Sequence, residues 1–169
     1  MEIQIKTHKK QHEAWLKLHD QTTRFVGYGG AASGGKSYLG CLWLIVSCIR
    51  YPDTRWFLGR KDLKDILQSS FVTFKKVSKD LNIPEDFWSF NGQRNEITFY
   101  NGSVVVFMPL AYKPSDSEGH SFGSLEFTSG WIEEAGEVPF ESFDILKSRI
   151  GRWNNALYNL HPKMLVTFN

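Results

Sequence analysis

The chain has 169 residues, which is enough for one domain with a hydrophobic core and too few for two domains of ordinary size. Hydrophobic residues make up 41% and charged residues 22%, and this composition excludes disordered, collagen-like and low-complexity chains. Twenty basic and eighteen acidic residues give a net charge of +2, so any contact with DNA would have to come from a local basic patch.

The first half of the chain is predicted to alternate between helices and strands. Tyr38–Arg50 is apolar nearly all round, which is typical of a buried helix, and it ends where Tyr51 precedes a proline. Over residues 62–81, apolar side chains recur every three or four positions, which predicts an amphipathic helix. The other elements predicted here are a helix over 8–19 and strands over Arg24–Tyr28 and Arg55–Gly59.

The second half adds a hairpin and a strand–helix–strand unit. Two β-prone runs, 95–100 and 103–108, flank Asn101-Gly102, which predicts a hairpin with a type I′ turn. The other elements predicted here are a loop over 114–124, strands over Phe127–Ile132 and Met164–Phe168, and a helix over Pro139–Arg149. Strands that alternate with helices predict an α/β fold, a three-layer sandwich with a mostly parallel central sheet and an added antiparallel hairpin.

The cysteines and the apolar segments indicate an intracellular protein. Cys41 and Cys48 fall in one predicted helix, with their Cα atoms about 10 Å apart, and a disulfide needs about 7 Å or less. We expect them to be buried free thiols, as in a reducing compartment. The longest apolar stretch, Tyr38–Ile49, is shorter than the roughly 18 residues of a bilayer span, and residues 1–15 lack the apolar core of a signal peptide. We therefore expect no membrane association.

The most informative motif is a phosphate-binding loop that fits G-x-x-x-x-G-K-[ST] without a mismatch. It consists of Gly30, Ala31, Ala32, Ser33, Gly34, Gly35, Lys36 and Ser37. Glycines let successive N–H groups converge on phosphate oxygens, and the helix that follows adds the positive end of its dipole. Lys36 would contact the β and γ phosphates of ATP, and the Ser37 hydroxyl would ligate Mg²⁺. The alternative is a Gly-rich turn with a surface lysine, but the strand before the motif and the helix after it favour a P-loop NTPase fold.

A phosphate loop that hydrolyses nucleotide also needs acids at the end of a neighbouring strand. Glu133 and Glu134 follow the apolar strand Phe127–Ile132 directly. If that strand ends at Ile132, Glu133 faces the metal and Glu134 faces the attacking water. Glu133 is one methylene longer than the aspartate common at this place, so we expect it to act on Mg²⁺ through a water. The alternative is that both are first-turn acids of a helix, which the helix dipole favours.

Taken in order, the motifs resemble the N-terminal ATPase domain of the large terminase subunit of tailed bacteriophages. The matching segments are Lys10-Gln11, GGAASGGKS, Gly59-Arg60-Lys61, YNGSVVVF, WIEEA, LKSRIGR and LVTFN. The resemblance spans nearly the whole chain and implies a Mg²⁺-dependent ATPase that moves double-stranded DNA into a procapsid. It also implies a homo-oligomeric ring on a portal protein, a small terminase subunit as partner, and the host cell cytoplasm as location.

The resemblance also implies roles for residues outside the two motifs. Gln11 is similar to the glutamine that reads adenine in this family; the alternative is a solvated helix residue. Thr167 and Asn169 are similar to the coupling motif that senses the γ-phosphate, and the alternative is an ordinary strand end. Within the two motifs, Glu134 and Lys36 are the predicted catalytic residues, with Glu134 as the base that positions the attacking water.

An arginine that neutralises the transition state is harder to assign. Arg60, Arg149 and Arg152 are candidates, and Arg60 is the best placed because it ends a strand. Related sequences often carry a basic residue in the loop before WIEEA, but Ser121–Ser124 has none. The arginine supplied by a neighbouring subunit therefore stays unassigned.

In the resembling proteins the chain continues past the coupling motif into the rest of the ATPase and a nuclease domain. We therefore expect residues 1–169 to be an ATPase domain that is shortened at its C-terminal end and has no nuclease activity. Two other functions stay open on the sequence: another P-loop DNA-dependent ATPase of the helicase kind, and a nucleotide-binding assembly module without turnover.

Overall fold

The computed structural model describes residues 4–30, 35–111 and 123–169, and within these ranges seven strands form one sheet. The strands are β1 (Phe25–Gly29), β2 (Arg55–Arg60), β3 (Trp88–Asn91), β4 (Glu96–Phe99), β5 (Val104–Pro109), β6 (Ser129–Ile132) and β7 (Met164–Phe168). The helices are α1 (Lys9–His19), α2 (Lys36–Arg50), α3 (Leu63–Asp65), α4 (Phe71–Asp80) and α5 (Phe140–Lys147). A π-helical turn, Ile66–Ser70, joins α3 to α4, and 3₁₀ turns lie at Glu85–Phe87, Ala135–Glu137 and Ala156–Tyr158.

The sheet order is β1-β7-β6-β2-β5-β4-β3. The strands β1, β7, β6, β2 and β5 are parallel, and β4 and β3 extend the sheet in antiparallel pairs. The predicted mostly parallel sheet is therefore confirmed. The predicted hairpin is also present as β4 and β5, although β5 belongs to the parallel part. The sequence does not reveal β3, because this four-residue strand is too short to show a clear alternation of apolar and polar residues.

Hydrophobic clusters fill both faces of the sheet. Trp56 and Leu58 belong to the larger cluster, which includes residues of α1, α2 and α4. Phe57, which lies between them, points to the opposite face and packs in the second cluster with Leu146 of α5. Successive side chains of a strand point to opposite faces, so a central strand buried on both sides needs apolar residues at every position. The three-layer arrangement predicted from the sequence is confirmed.

The hairpin turn differs from the predicted type I′ geometry. A type I′ turn needs positive φ at both central residues, but only Gly102 has one, at 86°. The Gly102 N–H donates to the Phe99 carbonyl over 3.0 Å, so Tyr100 and Asn101 are the central residues of the turn and Gly102 follows it. The Asn101 amide donates to the Cys48 carbonyl over 2.8 Å, which ties the turn to the end of α2 and sets its conformation.

The remaining global predictions concern the cysteines, the apolar segments and one loop. Cys41 and Cys48 are free and buried, as predicted. Among the described residues, no helix is long and apolar enough to span a bilayer. Most of the predicted loop over 114–124 lies outside the described residues.

One close contact fixes α2 against the sheet, and it gives a stability prediction. A Cβ at Gly40 would lie 2.5 Å from the Trp131 ring of β6. Gly40→Ala should gain about 1 kcal/mol of helix propensity but lose about 1–3 kcal/mol to overpacking, because neither α2 nor the buried ring can move freely. We expect a net loss of stability, measured as a lower urea midpoint. Gly136→Ala is the control, since a Cβ there meets nothing within 4 Å. A higher urea midpoint for Gly40→Ala would show that the Trp131 ring moves to make room for the methyl group.

Candidate functional site

The carboxyl ends of four parallel strands meet at one edge of the sheet. Gly29 of β1 pairs with Phe168 of β7, and Ile132 of β6 pairs with both Val166 of β7 and Gly59 of β2. In open α/β sheets, ligands bind outside the carboxyl ends of the strands. The residues that follow these strands therefore form the candidate site.

The predicted phosphate loop connects β1 to α2. Ala31, Ala32, Ser33 and Gly34 lie outside the described residues. Gly35 has a φ of 67° and precedes the first residue of α2, so the loop enters the helix through a left-handed conformation that glycine adopts without strain. Lys36 is 6% exposed, and its ammonium group donates to the Gly30 carbonyl over 2.6 Å. The lysine side chain thus points back toward the end of β1.

The phosphate loop and the acid pair are in direct contact. The Ser37 hydroxyl, in the first turn of α2, donates a hydrogen bond to Oε1 of Glu133. β6 ends at Ile132, so Glu133 is the first residue after the strand, as expected from the sequence. A serine and a carboxylate separated by 96 positions are thereby brought together by the sheet.

Glu133 is a buried carboxylate with further partners on its other oxygen. Glu133 is 2% exposed. Burying a charge to this extent costs free energy unless the charge is paired and hydrogen-bonded. Arg60, the last residue of β2, has Nη1 3.6 Å from Oε2. The Ser70 hydroxyl donates to the same oxygen. Of these two partners, Arg60 is a candidate from the sequence and Ser70 is not.

A signal for Ser70 is nevertheless present in the sequence. Its position falls in the predicted amphipathic helix, four residues after Ile66 and four before Phe74, both of which are buried. A polar residue at a core-facing helix position needs a buried partner. The sequence alone could not name that partner, because it lies on another element.

Glu134 and Lys36 are linked through the side chain of Asn169. The Asn169 amide oxygen accepts from Lys36 Nζ over 2.8 Å, and its amide nitrogen donates to Glu134 Oε2 over 2.8 Å. Glu134 has φ 51° and ψ 51°, a left-handed conformation that costs a non-glycine residue free energy and occurs preferentially at functional sites. The residues predicted to bind phosphate and to activate water are therefore one amide group apart.

Thr167, the other residue of the predicted coupling motif, lies inside the fold. Its hydroxyl accepts a hydrogen bond from the Trp131 indole N–H over 3.0 Å. Trp131 lies two residues before Glu133, and a Cβ on Gly40 of α2 would run into its ring. Thr167 thus contacts the acid-bearing strand rather than the edge of the sheet.

Gln11 lies beside the phosphate loop. The residue is buried, and its amide nitrogen donates to the Gly35 carbonyl over 3.0 Å. Its amide oxygen accepts from the backbone N–H of His8, and the His8 ring accepts in turn from the Gln11 N–H, which forms a capping box at the start of α1. Gln11 is therefore packed against the loop and is not a solvated helix residue.

The other arginine candidates lie elsewhere. Arg149 and Arg152 follow α5, and Arg152 donates to the Ser148 carbonyl over 2.7 Å. Ser121 and the residue after it lie outside the described ranges. Of the three predicted arginines, Arg60 is the one that the fold brings to the acid pair.

Comparison with known proteins finds similarity to phage packaging proteins. The sequence profile of the family described as "Phage terminase large subunit" matches residues 21–169. The PBSX phage terminase large subunit of Bacillus subtilis (strain 168) is 27% identical over 167 residues, which cover 98% of this chain and 35% of that protein.

Solved structures share the fold. The large terminase from a thermophilic bacteriophage, in complex with ADP, matches with a TM-score of 0.72 and 11% identity over 96% of this chain and 39% of that one. The N-terminal domain of the DNA packaging ATPase from bacteriophage phi29 matches with a TM-score of 0.62 and 16% identity, over 95% and 78% of the two chains. These likenesses show the predicted ATPase-domain fold. The chain spans about a third of the length of its curated relative.

Proposed function

Because the chain belongs to the phage terminase large subunit family, we propose that it binds MgATP and hydrolyses it as the nucleotide-binding part of a DNA-packaging motor. The observation that carries the proposal is the hydrogen bond between Ser37 of the phosphate loop and Glu133 at the end of β6. A phosphate loop alone would serve any nucleotide-binding protein. A loop serine in contact with a strand-end acid is the arrangement needed to place a cation beside the phosphates.

The residues at this edge fit a magnesium ion. Mg²⁺ is usually held by one or two carboxylates together with substrate phosphates and several waters, rather than by an all-protein cage. The described residues contain no cluster of three or more His, Cys, Asp or Glu able to hold a metal. The Ser37 hydroxyl would ligate the ion and Glu133 would hold it through a water. When bound, Mg²⁺ neutralises charge on the phosphate oxygens.

Glu134 is proposed to be the general base. Asn169 holds its carboxylate by Oε2, so the group has a defined orientation in which it can accept a proton from water. Lys36 is proposed to contact the β and γ phosphates. Because the Asn169 amide contacts Lys36, a γ-phosphate that binds Lys36 would compete for this contact and change the position of Asn169. We propose that this change, together with Thr167, couples hydrolysis to movement.

Gln11 is proposed to recognise adenine. Its amide can pair with the adenine amino group and a ring nitrogen, and its contact with Gly35 would connect the base to the phosphate loop. Arg60 is proposed to add positive charge near the acid pair. These roles extend the family resemblance to individual residues of this chain.

The partners proposed from the family are double-stranded DNA, further copies of the chain in a ring on a portal protein, and a small terminase subunit. The host cell cytoplasm is the proposed location. The family match favours this motor over a helicase-like P-loop ATPase.

The function is tested by measuring phosphate release and nucleotide binding together. We expect the chain to release phosphate from ATP in the presence of Mg²⁺, and EDTA to reduce release to the blank, because the charge on the phosphate oxygens then has no metal ion to neutralise it. Both measurements are repeated with double-stranded DNA and with the partner subunits. Tight ATP binding without release under every condition would instead support an assembly module without turnover.

A further inference from the structure

The helical segment after β2 contains an irregular turn beside the candidate site. Between α3 and α4, residues Ile66–Ser70 form a π-helical turn, in which the Phe71 N–H donates to the carbonyl of Ile66 five residues earlier. Such a turn accommodates one extra residue in a helix, and π-bulges occur frequently at functional sites. The residue that ends this turn is Ser70.

Ser70 is turned away from its own helix. The residue is completely buried, and its hydroxyl donates to Oε2 of Glu133, 63 positions away. A helical serine commonly bonds the backbone carbonyl one turn earlier. The Ser70 carbonyl accepts from the Cys41 thiol of α2 over 3.5 Å, so the π-turn is tied to the helix that follows the phosphate loop.

The two oxygens of Glu133 have different environments. Oε1 accepts from Ser37, the residue proposed to ligate Mg²⁺. Oε2 accepts from Ser70 and lies 3.6 Å from Arg60 Nη1. A carboxylate held at one oxygen by a directional bond cannot rotate freely, so its second oxygen keeps a fixed direction.

We propose that Ser70 is a positioning residue that holds Oε2 of Glu133, so that Oε1 faces the magnesium position at Ser37. This inference rests on the proposed function. Arg60 does not replace Ser70, because an ion pair at 3.6 Å contributes charge but little directional constraint. Cys41 supports the arrangement as a neutral thiol, since burial, and to a lesser degree the charge of Glu133, raises the pKa of Cys41 well above its usual value.

A structural role alone would have a different signature. If Ser70 only satisfied its own hydroxyl, its loss would lower stability and leave metal dependence unchanged. A residue that orients a metal-binding group affects the metal instead, and loss of such a partner typically costs about 10- to 100-fold in metal affinity or activity.

The test compares Ser70→Ala with Ser78→Ala in the 169-residue chain. Ser78 is also a buried serine of this helical segment, but its hydroxyl accepts from the Trp88 indole over 2.8 Å, away from the acid pair. The readout is the Kd of a fluorescent, non-hydrolysable ATP analogue, measured with Mg²⁺ and with EDTA. We expect the unmodified chain and both variants to bind the analogue alike in EDTA, and Ser70→Ala to lose about tenfold of the tightening that Mg²⁺ produces. Ser78→Ala should keep the full tightening.

Two outcomes separate the inference from the proposed function. If the unmodified chain shows no tightening with Mg²⁺, the proposed function fails. If it does, and folded Ser70→Ala keeps the full tightening, the positioning role of Ser70 is overturned. Should the alanine variant not fold, Ser70→Cys serves in its place, because a thiol fills the site but is a weak donor. Full Mg²⁺ tightening in folded Ser70→Cys would equally overturn the proposal.

Discussion

Glu134→Gln is expected to leave ATP binding unchanged and to lower the rate of hydrolysis by about 10²- to 10⁴-fold, the range typical of a lost general base. Glutamine keeps an oxygen that can accept from the Asn169 amide, so the local structure should persist. It cannot take a proton from the attacking water, and turnover should therefore fall. The measurement is steady-state phosphate release beside an equilibrium titration with ATP.

Glu137→Gln is the matched control, because Glu137 is an exposed acid three residues along the same turn. It should hydrolyse ATP at the unmodified rate. If Glu134→Gln also turns over normally, Glu134 is not the base, and the acid pair must be assigned differently.

Lys36→Ala is expected to weaken nucleotide binding itself. The lysine is almost completely buried, and its ammonium group donates to the Gly30 carbonyl. A hydrogen bond to a charged group contributes about 1.5–3 kcal/mol, so removing one such bond to a phosphate oxygen should weaken binding by about 10- to 100-fold. The Kd for ATP, measured by titration, should rise accordingly and hydrolysis should vanish.

Lys79→Ala provides the control, since Lys79 is exposed on α4 and its substitution removes the same charge. An unchanged Kd in Lys36→Ala would mean that the phosphates do not lie at this lysine. Together the two substitutions separate binding from chemistry, because Lys36→Ala should weaken ATP binding and stop hydrolysis, whereas Glu134→Gln should lower hydrolysis alone.

Most helices and strands of the fold can be predicted from local patterns in the sequence. The buried helix Tyr38–Arg50 and the amphipathic helix over 62–81 are predictable because apolar residues recur at helical spacing, and both are present. The predicted geometry of the turn at Asn101-Gly102 is wrong, because the Asn101 side chain bonds to α2 rather than only to its own turn. The π-turn at Ile66–Ser70 leaves the helical pattern intact and is therefore not predictable from it.

In the candidate site, likewise, some residues are predictable from local sequence and others are not. A contiguous motif makes Lys36 and Ser37 candidates. Glu133 and Glu134 are candidates because they directly follow an apolar strand. Asn169 is assigned only through the family resemblance. Its position between Lys36 and Glu134 depends on contacts across 133 and 35 positions of the chain, which no local pattern encodes.

The residues expected to bind phosphate can be predicted from the sequence, because a phosphate loop is a short local structure built from consecutive backbone groups. The tertiary structure alone decided which residues meet. β7 lies between β1 and β6, and this order brings Asn169 between the phosphate loop and the acid pair. The π-turn directs Ser70 onto Glu133. Strand order and helix register are set by packing on both faces of the sheet, and that packing is a property of the whole chain.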